Sequence, residues 1–502
     1  MADWNILAAA PEWILAGTSL LLLWVDARAH RNRRGSPGGI AATGVALATV
    51  AVLVQTLAVG AGKERAFLGA YAVDAFSLLF KLLFGLTSLL VMAMANTWLK
   101  RVDRGHGEFH LLLLFATMGM YFVASVEDFA GLFVSLELIT VSFYCLAAFK
   151  RNDERSVEAG VKYVVLGSFA SAFLLFGIAF LYGATGSLRL DALAEASHVR
   201  DLQYGGGPLL QFGLLLTLVG LGFKIAAVPF QVWTPDVYEG AASPVTAFLA
   251  MGSKAAGFTL LLKVVRACLG PAGGAGLAQA GPWIALIAVL SAATLLYGNL
   301  GAMWQGNIKR LLGYSSIGHG GYVLMGVFAL DQAGFAAVLY YLLAYLFTVL
   351  GVFSVVVVMS GETKSHRIED YAGLGRRSPL LALVLTCGFL SLAGVPPLGG
   401  FFGKFLVFRA VVAKGTTLAY SLAFVGAAGV VISLYYYLMV VRRIYMEEGK
   451  SSEPQPPIAI APVLRVALYG CLTGVLLTGI FMGPFIGLAE SAAGAFLALV
   501  GR

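Results

Sequence analysis

Leu209 to Phe230 reads LLQFGLLLTLVGLGFKIAAVPF. A helix needs about 20 apolar residues to cross hydrocarbon, and this run supplies them. It nevertheless holds Lys224 among apolar neighbours and ends in Val228-Pro229. Proline removes a backbone donor and clashes with the turn before it, so the helix must break there. Broken backbone at membrane depth is tolerable only inside protein or beside water.

Working outward, about fourteen apolar runs can be counted: 7–25, 39–61, 75–98, 109–126, 129–149, 157–183, 209–231, 244–268, 282–303, 311–330, 333–360, 379–412, 417–440 and 463–488. The run 379–412 is too long for one straight crossing. It carries Gly394-Val395-Pro396-Pro397 and then Gly399-Gly400, which predicts a second discontinuous helix. The breaks at Pro229 and at Pro396 and Pro397 lie five runs apart. An offset of five crossings reverses orientation, so the two halves read as inverted repeats. Broken helices at corresponding places in two repeats point to an ion or substrate site.

Composition gives the same fold class, an all-α integral membrane protein. Of 502 residues, 59% are hydrophobic and only 12% charged, and the mean hydropathy is +0.85. A soluble domain carries roughly a quarter charged residues. No segment is long and polar enough to make a soluble domain, so 1–502 is one polytopic unit. The net charge of +8 does not indicate nucleic acid, because the basic residues fall in short clusters between apolar runs without interleaved aromatics. Loops on the side of Arg28, Arg31, Arg33 and Arg34 hold 20 lysines and arginines, the opposite loops hold 6, and 8 lie within the spans. Basic loops stay in the cytoplasm. Both termini are therefore expected outside, with 184–208 as the longest outer loop and Ser451 to Pro457 as a flexible inner linker. The N-terminal Met-Ala-Asp-Trp lacks a basic n-region, so the first helix reads as retained. Cys145, Cys268, Cys387 and Cys471 make no CxxC pair, which leaves zinc and iron–sulfur sites unsupported. Gly399 to Lys404 fails the Walker spacing at Leu398 and Phe405, and no GxGxxG follows a strand.

A charge near the bilayer centre costs at least ~2.5–3.5 kcal/mol, so each one needs a reason. Lys162 near an inner helix end, and Lys263, Arg266 and Arg409 toward outer ends, are expected to snorkel, and Lys81 leans the same way. Glu137, Lys224, Lys254 and Lys404 have apolar residues on both sides and resist that account. One buried ion pair fixing helix register is a workable alternative, yet one glutamate cannot neutralise three lysines. Desolvation loosens a lysine's hold on its proton and a nearby carboxylate tightens it. Separating Glu137 from a lysine would favour release, and bringing them together would favour uptake. His319, in Ser315-Ser316-Ile317-Gly318-His319-Gly320-Gly321-Tyr322, reads either as a relay between them or as a hydrogen-bonded packing histidine.

These residues fall into segments that resemble a known family. Ser135-Leu136-Glu137, Lys224 to Phe230, Trp233-Thr234-Pro235-Asp236-Val237-Tyr238-Glu239-Gly240, Pro244-Val245-Thr246-Ala247-Phe248, Ser253-Lys254, Lys309 to Ile317 and Gly394 to Lys404 are similar to the antiporter-like membrane subunits of respiratory complex I. Within that family the lysine at 404, where other branches usually carry glutamate, and the chain length resemble the branch whose mitochondrial counterpart is subunit 2. The resemblance implies fourteen helices: three in 1–108, two inverted five-helix repeats in 109–268 and 282–440, and a last helix at 463–488. It implies Glu137 and Lys224 as a coupled pair, Lys254 as central relay, Lys404 near the outer exit and His319 on a hydrated axis between them. It also implies a proton-translocating, non-redox subunit of a bacterial inner-membrane NADH–quinone oxidoreductase. Its neighbours would be another antiporter-like subunit, small membrane subunits and lipid. No cofactor is expected in this chain, with NADH, FMN, iron–sulfur clusters and quinone in other subunits. A cation/proton antiporter or membrane-bound hydrogenase subunit shares the scaffold and stays open as an alternative, as does an independent transporter of a small solute.

Overall fold

The computed structural model describes residues 5–29, 37–59, 62, 64–102, 105–193, 206–269, 276–448 and 456–498. Arg31, Arg33, Arg34, Lys63, Arg104, Arg200, Lys450, Arg502 and most of the Ser451–Pro457 linker lie outside the described residues. The chain begins with α1 (Ala10–Ala29), α2 (Pro37–Val59), a short hairpin of β1 (Glu64–Ala66) and β2 (Tyr71–Val73), and α3 (Ala75–Leu99). Next come α4 (His106–Ser125), α5 (Phe129–Ala147), α6 (Glu154–Thr185), α7 (Gly206–Ile225) and α8 (Trp233–Gly240). A π-turn at Leu249–Ser253 joins α9 (Ser243–Phe248) to α10 (Lys254–Leu269). Then follow α11 (Gly276–Ala302), α12 (Ile308–Phe328), α13 (Gln332–Thr363), α14 (Pro379–Ala393), α15 (Gly399–Val412), α16 (Thr417–Met446), α17 (Pro462–Ile480) and α18 (Met482–Leu497).

Among the described residues, twelve helices are long and apolar enough to cross a membrane. They correspond to twelve of the fourteen apolar runs. The other two runs differ for physical reasons. Helix α12 carries Lys309, Arg310 and His319 and is buried in protein along nearly its whole length, so it need not be as apolar as a lipid-facing helix. The run 379–412 is two short helices, α14 and α15. The count of fourteen crossings therefore remains an expectation. The run 463–488 is corrected: α17 ends at Ile480, Phe481 leaves the helical region (φ −109°, ψ 51°) and α18 starts anew. Pro484 explains the break. Its ring would clash with the Ile480 carbonyl in a continuous helix, but fits the first turn of a new one.

Both discontinuous helices end in the same way. The left-handed residue is Ala226 (φ +58°) in the first and Gly394 (φ +88°) in the second. Ala227 N then donates to Gly222 O (2.8 Å), and Val395 N to Leu390 O (2.9 Å). This six-to-one bond satisfies a carbonyl that the helix end leaves free. Phe230 N closes back on Ala227 O (2.7 Å), as Leu398 N does on Val395 O (3.2 Å).

A second pair of matching segments follows α6 and α13. Ser187 N donates to Thr185 Oγ1 (3.2 Å) and Arg189 N to Ser187 Oγ (3.2 Å). Ser365 N donates to Thr363 Oγ1 (3.3 Å) and Arg367 N to Ser365 Oγ (3.2 Å). Phe129 N, opening α5, donates to Leu188 O, and Ile308 N, opening α12, donates to His366 O, both at 2.9 Å. Asp128 pairs antiparallel with Arg189 as Asn307 does with Arg367. The side-chain caps fit this: Asp128 accepts from Gly131 N (2.8 Å) and Asn307 from Lys309 N (2.9 Å). Loop charges predict opposite sides of the membrane for the two clasps, the placement expected of inverted repeats. In the second clasp, burial and the nearby Lys309 and Lys150 push the His366 imidazole down to about 3, so it stays neutral near pH 7.

Each clasp turns on one residue at positive φ, Gly186 (+70°) or Lys364 (+51°). An L side chain in that region costs about 1–2 kcal/mol. A Cβ on Gly186 would meet nothing within 4 Å, so Gly186→Ala should lower stability by about 1 kcal/mol through the backbone alone. Lys364→Gly should raise it by a similar or smaller amount, since glycine also loses more entropy on folding. Thermal unfolding of the detergent-purified protein measures both, and equal midpoints for all three proteins would contradict the account.

Burial is uneven. The apolar window of Ser243–Ala267 is 100% buried, that of α13 89% and that of α3 78%, whereas α2, α6 and α16 reach 33%. A helix apolar on all sides can be central or lipid-facing. Here the central helices α10 and α12 carry Lys254 and His319.

Candidate functional site: a buried row of ionisable groups

Lys404 shows how the broken helices make polar sites. Because α14 stops at Gly394, its last carbonyls have no partner within the helix. The Lys404 ammonium donates to Leu392 O (2.8 Å) and Ala393 O (3.0 Å). A cation at a helix C-terminus also meets the negative end of the helix dipole. The ammonium lies 4.6 Å from the centre of the Tyr322 ring, within cation–π range. Pro396 and Pro397 thus shape the turn that presents the carbonyls, rather than contacting the amine themselves.

Lys224 occupies the last turn of α7, just before the break that precedes Pro229, and its ammonium donates to Thr140 Oγ1 on α5. Glu137 lies on α5 one turn before Thr140 and accepts from Ser171 Oγ on α6 (2.6 Å). Glu137 and Lys224 therefore share a neighbourhood without forming an ion pair, each held by a hydroxyl. Glu137 is half-buried, while Lys224, Lys254, His319 and Lys404 are buried.

Lys254 opens α10 immediately after the π-turn, an irregularity frequent at functional sites. Its ammonium donates to Ser316 O on α12, and the Ser316 hydroxyl meets Tyr238 OH at 3.1 Å. A Cβ on Gly257, one turn along α10, would lie 3.3 Å from Lys224 Cβ, so the two lysine-bearing elements pack directly together. His319 is one turn from Ser315 and Ser316 on α12. Its Nδ1 is 2.6 Å from Tyr341 OH and its Nε2 3.2 Å from Tyr437 OH, while Tyr437 OH also bonds Ser315 Oγ. A cavity of about 10 Å³, room for roughly one water, is lined by His319, Tyr341, Thr348, Ser391, Leu392 and Gly403 among others. Thr348 and Ser391 hydroxyls bond across it at 3.0 Å. Leu392 is both a wall of this cavity and an acceptor for Lys404. The Tyr437, His319 and Tyr341 side chains are thus hydrogen-bonded in a row, Lys254 and Lys404 each bond backbone carbonyls, and Glu137 and Lys224 each bond a hydroxyl of their own.

Three snorkelling expectations are corrected. Lys81 is 0% exposed and pairs with Glu12, itself 1% exposed, at 2.8 Å. Lys263 donates to Val126 O (2.6 Å) and pairs with Glu127 (3.3 Å), and Arg266 pairs with Glu127 at 2.8 Å. These chains find partners inside the protein instead of reaching the headgroups. Lys162 is 41% exposed and paired with Glu158 and Asp236, and Arg409 is exposed, in keeping with the interfacial reading. The sequence singles out Glu137 among the carboxylates and passes over Glu12. It also hides Tyr341 and Tyr437, since a tyrosine in an apolar run looks like any packing aromatic. Among the described residues, no cluster of three or more His, Cys, Asp or Glu side chains could hold a metal ion.

The comparisons with known proteins agree with one another. A family profile described as NADH:quinone oxidoreductase/Mrp antiporter, TM, matches residues 126–431. NADH-quinone oxidoreductase subunit N of Desulforamulus reducens is 41% identical over 429 residues, 86% of each chain. Subunit N of Moorella thermoacetica is 38% identical over 99% of each. A chain of Thermus thermophilus respiratory complex I is 33% identical with a TM-score of 0.78, covering 96% of this chain and 99% of that one. The chain belongs to the NADH:quinone oxidoreductase/Mrp antiporter membrane family, and within it to the subunit N branch, the counterpart of mitochondrial subunit 2.

Proposed function

We propose that the chain translocates protons as a non-redox membrane subunit of NADH–quinone oxidoreductase, driven by quinone chemistry in other subunits. The observation that carries this reading is the buried row of lysines bonded to a hydroxyl and to backbone carbonyls instead of carboxylates. A purely structural lysine in a membrane would be paired with an acid, as Lys81 and Lys263 are. In this reading Glu137 and Lys224 exchange a proton when movement brings them together, Lys254 relays it, and Lys404 hands it toward the outer side. His319 stands between Lys254 and Lys404. The repeats 109–268 and 282–440 would supply the two half-paths, with 1–108 and the C-terminal helices packed around them. The chain would sit in the bacterial inner membrane with both termini outside, against a second antiporter-like subunit and small membrane subunits. NADH, FMN, iron–sulfur clusters and quinone would belong to its partners. The alternative, a subunit of a cation/proton antiporter or membrane-bound hydrogenase, shares the scaffold. The subunit N names of the relatives favour the first reading.

Glu137→Gln and Lys224→Met in the assembled complex test it. Each should cut NADH-driven acidification of inverted vesicles on the order of tenfold, equivalent to ~1.4 kcal/mol on the limiting step. NADH–ferricyanide activity, which needs only the peripheral electron carriers, should persist. Normal acidification in both variants would refute the assigned roles.

A further inference from the structure

Between Lys254 and Lys404 the chain offers a line of hydroxyls and one imidazole. We propose that Tyr437 and Tyr341, with His319 between them, form a hydrogen-bonded wire that carries the proton across this stretch. The proposal rests on the translocation reading above and adds two relay residues to it.

The geometry supplies the links from Ser315 to Tyr341. Ser315 Oγ bonds Tyr437 OH, and Ser316, its neighbour on α12, accepts from Lys254 through its carbonyl. Tyr437 OH is 3.2 Å from His319 Nε2, and His319 Nδ1 is 2.6 Å from Tyr341 OH. Tyr341 lines the small cavity together with Ser391 and Leu392, and the Leu392 carbonyl accepts from Lys404. A wire conducts only if each member can donate and accept at once. Hydroxyls do so, and neutral imidazole does so through its two nitrogens. With Nδ1 protonated, Tyr437 donates to Nε2 and Nδ1–H donates to Tyr341.

A proton arriving at Ser315 passes to the Tyr437 oxygen, and the Tyr437 proton moves to Nε2. The Nδ1 proton moves to the Tyr341 oxygen, and the Tyr341 proton leaves into the cavity. Each group ends with as many protons as it began with, and one proton has crossed. The hydroxyls then rotate and the imidazole flips to restore the starting polarity. Tyr437 is fully buried, and Tyr341 and His319 are 4% and 5% exposed, so bulk water does not bypass them from the surface. Neither phenol is needed to hold an ion pair, and removing either hydroxyl opens the wire while leaving the ring.

The experiment compares Tyr437→Phe, Tyr341→Phe and the double variant with Lys254→Met, in the assembled complex in inverted vesicles. NADH-driven acidification and NADH–ferricyanide activity are both measured. Each tyrosine variant should lower acidification on the order of tenfold with ferricyanide activity retained, and the double should be no worse than the poorer single, because the two hydroxyls act in series. Multiplied losses in the double would mean two independent packing effects and would overturn the wire. Normal acidification in both singles, with Lys254→Met inactive, would also overturn it while the translocation reading stands. Normal acidification in all four would sink that reading itself. Fluorotyrosine at 437 and 341 covers the case of poor assembly, because it keeps ring and hydroxyl and changes only acidity. A wire predicts an altered acidification rate, and an unchanged one overturns it.

Discussion

Lys404→Ala should reduce NADH-driven proton transfer about a hundredfold and slow quinone reduction with it, while NADH–ferricyanide activity stays near normal. The ammonium meets both the Leu392 and Ala393 carbonyls from across the break. Without it a proton leaving the cavity beside His319 would have to dwell on water in a low-dielectric interior. An uncompensated buried charge carries a penalty of several kcal/mol even after relaxation. If ~3 kcal/mol of that falls on the limiting hop, the rate drops about a hundredfold. Quinone reduction follows because a coupled machine cannot turn over when a proton step stalls. Lys404→Arg separates charge from chemistry. It restores a cation for the helix end but holds its proton at any accessible pH, so it should assemble normally and remain defective. Loss of ferricyanide activity together with pumping would indicate failed assembly. Full pumping in Lys404→Arg would exclude deprotonation at this position.

The broken helices were legible because proline and glycine act locally: Val228-Pro229 and Gly394 to Gly400 interrupt apolar runs whatever surrounds them. The ionisable row was legible for a related reason, since a lysine flanked by apolar residues is conspicuous in any sequence. Burial of Lys81, Lys263 and Arg266 was not, because their partners Glu12 and Glu127 lie far away along the chain and only packing brings them together. The tyrosines around His319 were hidden by their ordinary composition. The separation of Glu137 from Lys224 was equally unreadable, because it depends on where Ser171 and Thr140 place their hydroxyls. The second half of the run 463–488 became an independent helix through Pro484, a local signal that the apolarity of the run outweighed.

The buried acid of α1 has a structural consequence of its own. Glu12→Gln should destabilise the protein by about 3–5 kcal/mol, the cost of leaving one partner of a buried pair uncompensated. Glu12 Oε1 accepts from Tyr71 OH (2.7 Å) and lies 2.8 Å from the Lys81 ammonium, which in turn donates to Tyr71 OH (2.6 Å). The triangle ties α1, the β1–β2 hairpin and α3 together, and neither charged member reaches solvent. Glutamine keeps the shape and one acceptor but leaves Lys81 as a bare cation. Lys81→Met should cost a similar amount by stranding the carboxylate. Glu12→Gln with Lys81→Met should recover most of the loss, because replacing a whole buried pair by uncharged groups is often close to neutral. The coupling read from the four proteins by thermal unfolding in detergent should thus be several kcal/mol. Additive losses, or a single variant costing under ~1 kcal/mol, would mean that water reaches this pair and that Lys81 is no different from an interfacial lysine.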